Sequence, residues 1–179
     1  VDPALIMSAM PWRFQQHLAI AMDGERQYHY RHPLPGTPLI LSLRGFFTYW
    51  LVIAFFNALP LPRRSGFRKS FEFAGEAMDR GNSILIFPEG ELTKDGQLQK
   101  FKSGVGLLAN GLEAPIVPVS ITGLYELRHA GQRGWAPPGK VTITFGKPIP
   151  YDPDKRPVEI TQQLEDQIRK LQTVSVARP

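Results

Sequence analysis

The chain has 179 residues, 42% hydrophobic and 21% charged, a balance that excludes disorder and supplies enough length for one domain with its own core. It contains no cysteine, which excludes disulfide staples, thiolate zinc sites and a cysteine nucleophile. Lys and Arg outnumber Asp and Glu by 21 to 16, a surplus that suits an anionic partner; the basic residues are scattered rather than gathered on one helix, so nucleic acid is not an expected partner.

The first element is a helix opened by Asp2-Pro3, because an aspartate accepts from the free N–H groups of a first turn and proline loses nothing at the first position. Because Val1 is not methionine, the chain is expected to begin inside a larger protein. His17–Met22 reads as a buried strand closed by Asp23-Gly24, and Arg26 to Pro38 as loop. Phe46–Phe56 is about half of the roughly 20 residues that span a bilayer. It reads as a core helix or as one lying in the headgroup region with Tyr49 and Trp50 at the interface. Ala58–Leu61 is a short strand leading to Arg63-Arg64.

Phe67, Phe71, Ala74 and Met78 recur at helical spacing with charged residues between them, and Gly81 stops the helix. Ser83–Phe87, Pro115–Ile121 and Val141–Phe145 are short branched runs that read as central strands of an α/β sheet. Ser103 is positioned to cap a helix through Leu107, Leu108 and Leu112, and the glycines at 104, 106 and 111 point to close packing or a nearby ligand. A last helix begins near Pro157 with Ile160, Leu164, Ile168 and Leu171 on one face, and Arg169 and Lys170 near its negative end. One mixed, mostly parallel α/β domain flanked by helices accounts for every element.

Two motifs fail on context. Gly134–Lys140 has phosphate-loop spacing, but Val141 replaces the magnesium-binding hydroxyl and a strand follows where a helix is required. His29 and His32 lack a third ligand at workable spacing, so no metal is expected. Phe87-Pro88-Glu89-Gly90 is different. It follows an apolar strand directly, and so presents a carboxylate at the sheet edge where open α/β folds bind ligands, while Gly90 admits a close backbone approach.

Phe87–Gly90, then Phe101-Lys102-Ser103-Gly104, then Ile116–Val119, preceded by Asn57–Arg63, resembles in order and spacing the blocks of the glycerolipid acyltransferases, the lysophosphatidic acid and related lysophospholipid acyltransferases. The resemblance runs from Asp2 to about Pro150. It implies a glycerol-3-phosphate acyltransferase-like fold over residues 1–179, with an N-terminal edge just after the position of the family's catalytic histidine.

The family's first block is His-x4-Asp, in which the histidine takes a proton from the acceptor hydroxyl as it attacks an acyl thioester. Asp2 matches the aspartate, and the histidine would lie five residues earlier, before Val1. By the same resemblance Glu89 and Gly90 bind the acceptor, Arg63 pairs with its phosphate, and Lys102 adds positive charge. Where the family often has Thr-Arg-Ser after Pro-Glu-Gly, this chain has Glu91-Leu92-Thr93, which admits acceptors other than lysophosphatidic acid. It also admits a lipid-binding module of the same fold without catalysis.

The expected partners are an acyl-CoA or acyl carrier protein thioester as donor, a lysophospholipid acceptor and the cytoplasmic face of a membrane, in phospholipid biosynthesis or remodelling. No cofactor beyond the donor is implied. The segments Phe56-Asn57, Gly66–Ser70 and Asp95-Gly96 are most similar to acyltransferase domains fused to AMP-forming acyl-activating enzymes, which adds a fused acyl-activating domain to the expected partners.

Overall fold

The structure, a computed structural model, describes residues 2–23, 57–61, 67–91, 93, 95–130 and 139–176. The loop expected at 26–38, the aromatic segment 46–56, Arg63 and the segment 134–138 lie outside the described residues. The chain divides into two compact units, Val1–Phe87 and Pro88–Pro179.

In the first unit, helix α1 (Asp2–Ser8) and the single turn α2 (Trp12–Gln15) precede strand β1 (Leu18–Asp23). Pro11 opens α2, where its missing N–H costs no bond, and its carbonyl accepts from the Phe14 N–H at 2.9 Å. β1 lies between β2 (Asn57–Leu61) and β3 (Ser83–Leu85), parallel to both. Leu18, Ala19 and Ile20 are all buried, the unbroken apolar run expected of a strand covered on both faces.

Helix α3 (Phe67–Asp79) packs on β2 and β3. Its buried stripe is Ser70, Ala74 and Ala77, rotated from the expected stripe: Phe71 and Met78 are only half-buried and Phe73 is 38% exposed. Small side chains on the buried stripe let the helix backbone lie close to the sheet, and the large ones then fall to its flanks. The helix stops as expected at Gly81, whose φ is +79°. Its N–H donates to the Met78 carbonyl at 2.8 Å and the Asn82 N–H to the Ala77 carbonyl at 3.0 Å, the paired closure of a left-handed glycine stop.

The second unit is built on α6 (Pro157–Val176), against which α4 (Gly104–Gly111) and β4 (Val119–Thr122) pack. Ile160, Leu164 and Ile168 are buried as the spacing predicts. Leu164 and Ile168 enclose Phe101, with Leu98, Val105, Ile116 and Ile149 around them. The start of α6 is fixed by Glu159, whose carboxylate accepts the Arg156 N–H at 2.9 Å and the Arg156 guanidinium at 2.7 Å. Arg156 is the residue before Pro157, so the glutamate reaches back across the first turn as in a capping box. Arg169 and Lys170 do not sit at the negative end: the helix runs on to Val176, and Arg169 pairs instead with Glu165 one turn back at 2.8 Å.

Three further expectations change. Ser103 stands at the start of α4, but its backbone is already helical at φ −58°, ψ −16°, and its hydroxyl makes no cap. The run Pro115–Ile121 forms a strand only over Val119–Thr122, with Ile116 bridging separately to Ile149. Pro115 and Pro118 remove the N–H groups that a continuous ladder needs. Finally, β4 pairs antiparallel with β5 (Thr142–Phe145), which follows helix α5 (Leu124–Ala130), so among the described residues the parallel sheet has three strands and β4 and β5 form a sheet of their own.

Candidate active site

The Pro88-Glu89-Gly90 turn follows the carboxyl end of β3. Gly90 has φ +71°, and a Cβ placed there would lie 3.0 Å from Lys102 Nζ, 3.1 Å from Cε and 3.2 Å from Cδ. The left-handed backbone is what calls for glycine here, and the flexible end of the Lys102 side chain lies beside it. The Lys102 N–H donates to the Pro88 carbonyl at 3.0 Å, so the sequence blocks 88–90 and 101–104 are joined by a backbone bond as well as by this contact.

Glu89 is half-buried, and its Oε2 accepts the Gln99 N–H at 3.0 Å. Burial pushes its carboxyl above the ordinary glutamate range, and the Gln99 N–H partly offsets this by favouring the charged form. Lys102 Nζ also meets Glu91 Oε1 at 3.5 Å, with both side chains more than half exposed. An exposed pair of this kind is worth about 0–1 kcal/mol, so the ammonium can leave Glu91 for a stronger anion at little cost.

The stretch between the two blocks is organised by its own turn chemistry. Asp95 Oδ1 accepts the Gln97 N–H at 3.0 Å and the Thr93 hydroxyl at 3.1 Å. These two bonds hold the Asp95 carboxyl below its usual range, the Gln97 N–H contributing most. Gly96, with φ +80°, lies against the ring of Tyr125 on α5, close enough that a Cβ would approach Cδ1 to 2.8 Å. Phe101 plugs the core, and its N–H donates to Glu165 Oε2 on α6 at 3.1 Å. Glu165 is held below the ordinary carboxylate range first by Arg169 and then by this N–H.

The structure thus brings Glu89, Gly90 and Lys102 into one loop system, as the sequence implies. Asp2 begins α1 in the first unit, while Arg63 lies outside the described residues. Sequence reasoning missed Tyr125 and Glu165. Tyr125 carries no signal beyond an aromatic on a short helix. Glu165 reads as an ordinary surface partner for Arg169 at i+4, and nothing local reveals that it reaches a backbone 64 residues away.

This arrangement, a Pro-Glu-Gly turn after a parallel strand with a lysine laid over its glycine, is set in the fold of a known class. Among solved structures the chain is similar to the 1-acyl-sn-glycerophosphate (LPA) acyltransferase PlsC from Thermotoga maritima, with a TM-score of 0.60 and 24% identity over 90% of this chain and 67% of that one. That likeness establishes the mixed α/β fold.

The Acyltransferase family model matches residues 40–122. Over 74 residues the chain is 35% identical to a chloroplastic 1-acyl-sn-glycerol-3-phosphate acyltransferase of Brassica napus, a match covering 41% of this chain and 22% of the relative. It is 34% identical to one of Arabidopsis thaliana over 74 residues, covering 41% and 21% respectively. The chain therefore spans about a fifth of the length of these plant relatives. The segment matched by the Acyltransferase model, somewhat under half of the chain, contains the Pro88-Glu89-Gly90 turn and Lys102.

Proposed function

We propose that this chain contributes to transfer of a fatty acyl group from an acyl-CoA or acyl carrier protein thioester to the free hydroxyl of a lysophospholipid, at the cytoplasmic face of a membrane. The observation that carries the reading is the Glu89-Gly90 turn with Lys102 across it, an anion-accepting surface beside a carboxylate, in the family's order of blocks. The plant relatives, named as acting on 1-acyl-sn-glycerol-3-phosphate, support a phosphate-bearing acceptor. Among the described residues no helix is long and apolar enough to cross a membrane.

In this reading the acceptor oxygen attacks the thioester carbonyl while a histidine five residues before Asp2 takes its proton. The tetrahedral carbon then expels the thiolate, the C–S bond breaks as the new ester C–O bond stands, and the imidazolium returns the proton to sulfur. Asp2 orients that imidazole in its correct tautomer. By the family resemblance Arg63 is the residue assigned to pair with the acceptor phosphate, and Lys102, a point charge released from Glu91, adds positive charge. Glu89 holds the loop through Gln99 and borders the acceptor. The thioester is already activated, so no metal or further cofactor enters any step.

The N-terminal sequence and intact mass of the native protein test the base. A histidine five positions before Asp2 is expected; any other residue there removes catalysis by this mechanism and makes lipid binding without turnover the better reading.

A further inference from the structure

We infer that Glu165, on helix α6, is a positioning residue for the acceptor site, setting the place of Lys102 through the backbone of Phe101. The inference rests on the acyltransferase reading above. Its geometry is a chain of three bonds. Arg169 Nη2 donates to Glu165 Oε1 at 2.8 Å, the other oxygen accepts the Phe101 N–H at 3.1 Å, and the next N–H, that of Lys102, donates to the Pro88 carbonyl at 3.0 Å.

The Phe101 side chain is buried between Leu164 and Ile168 on the same helix. The segment entering Lys102 is therefore pinned to α6 twice, by a ring in the core and by a charge-assisted bond at its backbone. On the other side Glu89 holds Gln99. The peptide between the two carboxylates is held at both ends, and Lys102, the next residue, lays the end of its side chain beside Gly90.

Removal of the Glu165 carboxylate deprives the Phe101 N–H of its acceptor beside a packed core, and the segment must shift to find another. A shift of a fraction of an ångström moves the ammonium at the end of a long side chain, and a 1 Å misplacement at a site costs about a hundredfold. The effect belongs to acceptor recognition, because the bond ends at the Phe101 N–H, one residue before Lys102, and touches no group assigned to the thioester.

The test compares wild type, Glu165→Ala and Glu165→Gln in the full native chain, with 1-oleoyl-glycerol-3-phosphate as acceptor and palmitoyl-CoA as donor. Thiol release gives kcat and both KM values, calorimetry without donor gives lysolipid affinity, and thermal unfolding gives the folded fraction. Glu165→Ala should raise acceptor KM and Kd about tenfold with kcat and donor KM nearly unchanged. Glu165→Gln keeps an oxygen that can accept the Phe101 N–H, and should restore most of the affinity.

Wild-type acceptor KM and Kd in Glu165→Ala, or a loss that only tracks the folded fraction, would overturn the inference. So would a wild-type chain that binds no lysolipid. Absence of thiol release from wild type, with the binding pattern as described, would contradict acyl transfer while supporting the role of Glu165.

Discussion

Glu89→Ala should abolish most acyl transfer, lowering kcat/KM by about a hundredfold or more, a loss of the size seen when a preorganised group in a reactive site is removed. Two effects combine. The Gln99 N–H loses the carboxylate that accepts it at 3.0 Å, and the turn loses its only carboxylate between β3 and Gly90. Glu89→Gln separates them, because an amide oxygen can still accept from Gln99 while the charge is gone. If the charge acts on the acceptor, Glu89→Gln falls close to Glu89→Ala; if the residue only braces the loop, it stays close to wild type. Steady-state rates of all three with a saturating donor check this, and wild-type rates in both variants would remove Glu89 from the site.

The largest effect on stability is expected at Gly106. A Cβ there would collide with the Pro157 carbonyl oxygen and with Thr161 Oγ1, at the first turn of α6. Neither neighbour can yield cheaply: the carbonyl is backbone, and the Thr161 hydroxyl already donates to it at 2.9 Å. Gly106→Ala should force α4 away from α6 and cost about 3 kcal/mol, the upper part of the usual overpacking range.

Gly81→Ala provides the contrast, since a Cβ there meets nothing within 4 Å. It pays only the left-handed backbone strain, about 1 kcal/mol. Denaturant unfolding of the two variants should therefore differ severalfold in the stability lost, and equal losses would refute the close helix contact. Because α4 follows directly on Lys102-Ser103, the glycine that sets helix packing also bears on the site.

The elements legible in the sequence are those whose signals are local. The apolar run at Leu18–Ile20, the existence of α3 with its Gly81 stop, and the buried spacing of Ile160, Leu164 and Ile168 all come from signals within one element, and the structure keeps them. The buried face of α3, however, is Ser70, Ala74 and Ala77 rather than the expected Phe71, Ala74 and Met78. The glycines of α4 read only as an alternative between close packing and a ligand, and at Gly106 the structure shows packing, against α6. Where a signal depended on backbone geometry it misled. Ser103 is a good capping residue by type, yet its helical φ and ψ leave the hydroxyl unused. Pro115 and Pro118 broke a run whose apolar content alone suggested one strand.

The site divides along the same line. Glu89 and Gly90 were legible because a turn directly after an apolar strand is a local pattern. The contact of Gly90 with Lys102 was legible only through the family's order of blocks, as 12 positions separate the two residues. Glu165 was not legible at all, because its bond to Phe101 is made by tertiary folding and its local pairing with Arg169 looks like an ordinary helix surface.

The most direct test of acyl transfer is thiol release by the native full-length protein from palmitoyl-CoA and from a palmitoyl carrier protein, each with and without lysophospholipid, with the lipid product weighed by mass spectrometry. The proposed function predicts release that requires the lysolipid and a product heavier by one acyl group, from at least one donor. Lysolipid binding with no release and no acylated product from either donor would contradict it.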